Sequence, residues 1–310
     1  MQYLLAIDGG GTKTRARLAD MHSVLAERST GTVKLMRIEE RLATERTQEL
    51  IDGLCTDAGI TPRQIAHATF GLAGLSIDRV RAWAAAALGS RLKSFDLVGD
   101  EEIALDAATQ GGPGVLVIAG TGSNIIGRAE DGTGARVGGW GPVIGDEGSG
   151  SWIGLEAVKR SLRALDSGAS TCLLREVESF WQLRSTAELV EKANARERAD
   201  FSVLAEVVTA CAQRGDAVAQ AVLEDAGREL AAQVSELLRR LRPRGGASPQ
   251  PLRVAFVGSV LARIASVRTS MTVALRETHP ELLVDEQEVD PLEGALWRCR
   301  QTMASRSLSA

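Results

Sequence analysis

Apolar and polar positions along this chain follow two rhythms, and the switches between them fall at glycine-rich turns. Tyr3–Ile7 is a short apolar run ending at Asp8. Thr14–Ala19 then alternates charged with small or apolar residues, the period-two pattern of a strand. Gly9-Gly10-Gly11-Thr12-Lys13 therefore joins two strands. Ile38–Ala58 sets Leu42, Arg46, Leu50, Ile51 and Leu54 near helical spacing, and Thr61-Pro62 reads as a cap followed by proline at the first helical position. Ala66–Leu72 is predicted as a strand running into Gly71–Gly74, and Asp78 to Leu88 as a helix. Ser94–Val98 is a strand stopping at Gly99-Asp100, with Glu101–Gln110 continuing as helix.

Gly111-Gly112-Pro113-Gly114 marks a domain boundary, giving one domain over 1–113 and a second over 114–310. Beyond it, Val115–Ala119 is a buried-type strand, Gly120-Thr121-Gly122-Ser123 a turn, and Asn124–Ala129 a second strand. Asp131-Gly132 is a tight-turn signal and Ala135–Gly138 a third strand. The strand, glycine/threonine turn, strand plan of the N-terminus thus occurs twice, as two related halves facing a cleft would require. A helix starts near Ser149, and Ser185–Arg242 reads as mainly helical, with Gly168 and Gly215 as interruptions. Pro243–Pro251 is a connector, Leu252–Val257 a buried strand passing through Gly258-Ser259 to a helix, and Asp290-Pro291 the start of a last helix. That helix, about 291–304, is placed to pack back on the first domain, with Ser305–Ala310 frayed.

Composition narrows the function classes. The chain has 310 residues, 44 % hydrophobic and 25 % charged, with a net charge of −4. That is ordinary for a globular protein and lacks the basic stripe of a nucleic-acid binder. No run approaches a membrane span, and the N-terminus has neither a basic start nor a long apolar core. Cys55, Cys172, Cys211 and Cys299 are scattered without metal-ligand spacing, which points to reduced, mostly buried thiols in a cytoplasmic protein. His22, His67 and His279 neighbour no nucleophile and read as structural.

The densest chemistry lies in Gly138–Gly150, where six glycines surround Trp140, Asp146 and Glu147. Glycine there lets the backbone bend sharply or approach a ligand closely. Converging N–H groups in a turn between strands make an anion-holding nest. Gly10, Gly11, Thr12 and Lys13 form one such turn, and Thr121 and Gly122 form a second, so that together they suit a triphosphate. The Rossmann and Walker patterns both fail, because these glycines open no helix and none precedes Lys-Ser/Thr. Asp8 is placed to hold Mg²⁺ through water or to cap its own turn. Asp100 is placed either as an N-cap or as a carboxylate that the helix end keeps ionised to accept a hydroxyl proton. Asp146 and Glu147 suit helix-end electrostatics or sugar hydroxyls. A lone tryptophan such as Trp140 is expected in the core, the other reading being a cover over a sugar face.

The ordered set Asp8–Thr14, Gly71-Leu-Ala-Gly74, Asp100, Gly120–Asn124, Gly138-Gly-Trp-Gly141, Gly145-Asp-Glu-Gly-Ser149 and Val257-Gly-Ser-Val260 resembles the N-acetylglucosamine kinase family. That family lies within the BadF/BadG/BcrA/BcrD-type ATPases of the actin-like, sugar-kinase and heat-shock ATPase superfamily, and the resemblance covers nearly the whole chain. It implies an α/β fold of two ribonuclease-H-like domains with an interdomain cleft, the second carrying a helical insertion. It implies ATP and Mg²⁺ as cofactors, a small sugar as substrate, and a homodimer without nucleic-acid or membrane partners. By the same resemblance Asp100 is the catalytic base, Thr12 and Thr121 contact phosphate, and Gly258-Ser259 flanks the adenosine. Ser123, Asn124, Gly139, Trp140 and Asp146 match the sugar side. The implied reaction moves the γ-phosphoryl group to the 6-hydroxyl of N-acetylglucosamine or a related hexosamine.

Two positions depart from the pattern. The segment after Gly31 lacks the asparagine usual for N-acetyl-sugar members and has Lys34 near the expected place, and Ala73 matches a sugar-site serine. Glucosamine, N-acetylmuramic acid and other sugars therefore stay open as substrates. The competing class is a BadF-type ATPase that activates a partner redox enzyme. Its iron–sulfur cysteines have no counterpart motif here.

Overall fold

Two five-stranded sheets with the same strand order organise this chain. The computed structural model describes residues 2–197, 199–241 and 252–308; the Pro243–Pro251 connector lies outside them. The chain divides into a unit of Met1–Gly112 with Val289–Ala310 and a unit of Pro113–Glu288.

In the first unit β1 (Tyr3–Gly9), β2 (Lys13–Ala19) and β3 (Val24–Gly31) form an antiparallel meander. It is followed by α1 (Glu40–Asp57), β4 (Ile65–Leu72), α2 (Asp78–Gly89), β5 (Phe95–Val98) and α3 (Asp100–Thr109). The sheet order is β3-β2-β1-β4-β5, with β4 and β5 parallel to β1. Strand β3 was not foreseen. Its residues VLAERSTG are largely exposed at the sheet edge, so no apolar face imprints an alternation on them. Thr61-Pro62 opens only the short 3₁₀ turn Pro62–Gln64, with Thr61 N–H donating to Gln64 Oε1 at 2.8 Å.

The second unit repeats the plan. β6 (Gly114–Ala119), β7 (Ser123–Arg128) and β8 (Gly134–Gly138) form the meander. Next come α4 (Gly150–Ser167), α5 (Leu173–Phe180), α6 (Thr186–Ala193), the 3₁₀ turn Phe201–Leu204, α7 (Ala205–Gln213) and α8 (Ala217–Leu241). Then β9 (Arg253–Val257), α9 (Ser259–Arg263), α10 (Ala265–Thr278) and the two-residue β10 (Leu283–Val284) complete it. The order β10-β9-β6-β7-β8 mirrors the first sheet. Strand β10 is too short to leave a sequence pattern.

The chain then returns to the first unit as α11 (Pro291–Leu308). This helix continues past Ser305, so the fraying expected there does not begin; Arg306 Nη2 donates to Ser94 Oγ at 2.8 Å and ties the last turn down. Both faces of the first sheet are covered. Leu5 and Ile7 of β1 pack with Leu50, Ile51 and Leu54 of α1 and with Val80 and Trp83 of α2. Leu4 and Ala6, pointing the other way, pack with Ile103 of α3 and with Leu292, Ala295 and Leu296 of α11. In the second unit Val115, Val117 and Phe256 of the sheet are buried with Leu230 and Val234 of α8 and Met271 of α10.

Candidate active site

Parallel strands deliver their C-terminal ends, with their turns, to one edge of each sheet, where ligands of open α/β sheets bind. In the first unit that edge carries Asp8, the Gly9–Lys13 turn, Gly71 and Asp100. Asp8 pairs in register with Arg15 of β2, whose Nη2 lies 3.4 Å from Asp8 Oδ2 and 2.7 Å from Asp290 Oδ1. Burial pushes the Asp8 carboxyl above its ordinary value, and Arg15 opposes that. Burial also pulls Asp290 upward, but Arg15 and Arg17 outweigh it and hold it low. Arg17 further binds Glu27 and Glu293, so the start of α11 is locked to β2 by an ionic network. The sequence reading missed Arg15, Arg17 and Asp290. The only signal was the alternating arginines of β2, whose partner lies 275 residues away.

The segment after β3 is latched to the glycine turn. Thr32 Oγ1 donates to Gly10 O at 3.0 Å and accepts from Lys34 N–H at 3.1 Å, while Arg46 Nη1 holds Thr32 O at 2.7 Å. Gly11 has ordinary negative φ, and a Cβ built there would meet no atom within 4 Å. Neither conformation nor packing within the chain demands a glycine at this position.

Asp100 is the first residue of α3, and the N-cap is Gly99, whose N–H is reached by Glu102 Oε1 at 3.3 Å. The capping alternative for Asp100 therefore falls. The helix end does not hold its pKa low, although at neutral pH a carboxyl titrating near 6 is still mostly ionised. Burial, then Asp8, then Glu101 push its pKa up to about 6, against the helix N-terminus and the nearby Lys34 ammonium.

In the second unit Gly120 O accepts from Gly150 N–H at 2.8 Å and Thr121 O from Ser151 N–H at 3.2 Å, docking the turn on the start of α4. Gly258 closes the other side. Its φ of +111° suits glycine, and a Cβ there would stand 2.4 Å from Ala119 O. The Gly258-Ser259 turn thus lies directly on the Ala119-Gly120 backbone. A cavity of about 400 Å³ opens beside it, lined by Thr121, Gly150 and Ser259 together with Glu206, Thr209 and Gln213 of α7. That volume lies within the range of small-ligand sites.

The Gly138–Gly150 loop is stapled from inside by Asp146. Its Oδ1 accepts Gly141 N–H at 2.9 Å, and its Oδ2 occupies the space that a side chain at Gly122 would need. The residue is buried in the left-handed region at φ 60°, and burial raises its pKa. Ser123 Oγ donates to Glu147 O at 2.8 Å, and Gln233 Nε2 reaches both that carbonyl and Glu147 Oε2, at 3.2 and 3.4 Å. Asn124 is buried on β7 opposite Gly138, and Gly139 N–H donates to Ser123 O. Trp140 overturns the core expectation: its side chain is 74 % exposed, next to exposed Val143 and Ile144.

Each unit thus places a glycine/threonine turn between antiparallel strands at the carboxyl edge of its sheet. This duplicated plan defines the two-domain, actin-like ATPase and sugar-kinase class of fold. A protein-family model described as the BadF/BadG/BcrA/BcrD ATPase family matches residues 5–296. The chain belongs to that family. It is 29 % identical over 308 residues to an N-acetylmuramic acid/N-acetylglucosamine kinase of Clostridium acetobutylicum, covering 96 % of this chain and 97 % of the relative. It is 26 % identical to an N-acetyl-D-glucosamine kinase of Dictyostelium discoideum, over 95 % and 96 % of the two chains. A crystal structure from Chromobacterium violaceum, provisionally assigned as an N-acetylglucosamine kinase, superposes with a TM-score of 0.74 at 29 % identity, covering 96 % and 98 %.

Proposed function

We propose that this chain is an ATP-dependent amino-sugar kinase that transfers the γ-phosphoryl group to the 6-hydroxyl of N-acetylglucosamine or a related hexosamine. The observation that carries the reading is Asp100, a part-buried carboxylate excused from capping and raised to about 6, the character of a general base working near neutrality. Full-length similarity to amino-sugar kinases supports it. In this reading Asp100 takes the proton of the attacking hydroxyl as the oxygen–phosphorus bond forms. Gly10, Gly11, Thr12 and Lys13 are the phosphate-binding turn of the first unit, and Thr121 and Gly122 are that of the second. Gly258 and Ser259 flank the adenosine in the 400 Å³ cavity. Ser123, Asn124, Gly139, Trp140, Asp146 and Glu147 form the sugar side. There Asp146 and Ser123 act by holding the loop, since their side chains are engaged within it.

Mg²⁺ fits the first unit. Asp8 is a half-buried carboxylate that raises Asp100 by repulsion, and a cation held by Asp8 relieves that repulsion. No cluster of three or more metal-ligating side chains occurs among the described residues. Magnesium needs only one or two carboxylates besides phosphates and water. When bound it neutralises charge on the transferring phosphates.

The test is an ATP-consumption screen over N-acetylglucosamine, glucosamine, N-acetylmuramic acid, N-acetylmannosamine and glucose. Consumption that requires one of the amino sugars, with a 6-phosphate product, is the expected result. Sugar-independent hydrolysis, stimulated only by a redox partner, would move the chain to the activator class. Lys34 is expected to influence both substrate choice and the base. Lys34→Asn should alter the sugar profile and move the acid limb of kcat/KM to higher pH, because the ammonium lowers the Asp100 pKa. An unchanged profile with an unmoved limb refutes the role.

A further inference from the structure

Two of the four free cysteines lie together in the helical part of the second unit, among side chains given no task above. Cys172 sits just before α5 and is partly open to solvent, whereas Cys211 on α7 is fully buried. Arg214 Nη2 touches both sulfurs, at 3.7 Å from Cys172 Sγ and 3.4 Å from Cys211 Sγ, and the thiols interact with one another. The pair is held in place. Cys172 N–H and the Thr171 hydroxyl donate to Asp216 Oδ2 at 2.6 and 2.8 Å, while Asp216 Oδ1 takes Ala219 N–H at the start of α8. Arg214 is anchored in turn on Glu176 Oε1 of α5 at 3.2 Å.

We propose that Cys172 and Cys211 form a redox modification site, closing to a reversible disulfide under hydrogen peroxide. Access to solvent makes Cys172 the sulfur that meets the oxidant. Burial pushes the Cys211 thiol up to about 12, which suits a resolving partner rather than a first nucleophile. The Cys172 thiolate attacks one peroxide oxygen; the O–O bond breaks, hydroxide leaves and a sulfenic acid forms. Cys211 sulfur then attacks Cys172 sulfur; the S–S bond forms, the S–O bond breaks, and the departing hydroxide leaves as water with the Cys211 proton. Overall two thiols are oxidised by two electrons, and one peroxide is reduced to two waters. A dithiol reverses the bond by exchange.

The bond has a consequence for the cavity. Thr209, Ala210 and Gln213, on the same helix as Cys211, line it. Non-bonded sulfurs must close to about 2.05 Å in a disulfide, which draws α7 toward α5. The effect on ATP rests on the adenosine assignment made above; the disulfide itself does not.

The experiment treats the reduced full chain with stoichiometric hydrogen peroxide, reads intact mass and non-reducing peptide maps, and measures ADP affinity by calorimetry. Loss of two hydrogens, a Cys172–Cys211 linked peptide and reversal by dithiothreitol are expected. Cys172→Ser and Cys211→Ser should each abolish the link. ADP affinity should fall several-fold on oxidation and return on reduction. A gain of one or two oxygens on Cys172 without a link, or a link through Cys55 or Cys299, overturns the site. A linked protein with unchanged ADP affinity keeps the site and overturns the coupling. Reduced protein that binds no ADP defeats the adenosine assignment alone.

Discussion

Asp100→Asn is expected to lower kcat by about 10²-fold or more while sugar binding survives and the protein becomes more stable. The loss follows from removing the proton acceptor, for which mutational effects run about 10²–10⁴-fold. The gain follows from the same burial. A carboxyl whose folded pKa exceeds its unfolded value, about 6 against 3.8, binds protons more readily in the native state. It therefore contributes fully to stability below its unfolded pKa and loses that contribution as pH rises through about 6. At pH 7.5 the ionised, desolvated carboxylate costs roughly 1–3 kcal/mol at about 1.4 kcal/mol per pKa unit, and asparagine removes that cost. Melting curves at pH 7.5 should move up by a few degrees in the variant, and at pH 4 the difference should vanish. The wild-type kcat/KM should fall on the acid side with a midpoint near 6. A variant with full turnover would falsify the base assignment. One destabilised at neutral pH would show instead that the carboxylate is a structural anchor.

Gly294→Ala is expected to be the most damaging single methyl in the first unit. A Cβ on Gly294 of α11 would lie 1.8 Å from Ile103 O and 2.6 Å from Ala107 N of α3. Both obstacles are backbone, so no rotamer relieves them and one helix must move. Helix propensity favours alanine by about 1 kcal/mol. Overpacking against rigid backbone costs about 3 kcal/mol or more, so the clash wins. Because Asp100 heads α3, the shift also displaces the proposed base. Loss of soluble protein, or a fall of several degrees in melting temperature together with lower kcat, is the expected outcome. Gly11→Ala is the counterpart. With open space around the new methyl it should leave the melting temperature within a degree or so, yet weaken ATP binding at least several-fold. If Gly294→Ala melts like the wild type, α11 does not bear on α3 as closely as these contacts require.

Much of the fold was legible because its signals are local. The apolar runs at Tyr3–Ile7 and Val115–Ala119, each followed by a glycine/threonine turn and a second strand, announced a duplicated plan, and the two mirrored sheets carry it. Strand β3 escaped because an edge strand with both faces largely exposed needs no alternation. Trp140 was misread because residue type reports the usual fate of an indole, whereas its exposure is set by a loop folded around Asp146.

The sequence by itself determined most of the element order, β3 and β10 apart, together with the paired turns and the identity of Asp8, Asp100 and Asp146 as carboxylates of interest, since these rest on periodicity and on residue chemistry. Only the tertiary structure decided their states. It gave Asp8 an arginine partner and brought Asp290 beside that arginine from the far end of the chain. It also placed Asp100 where burial outweighs the helix terminus. Desolvation and Coulomb interactions depend on distances in space, and neighbours 275 residues apart leave no trace in local pattern.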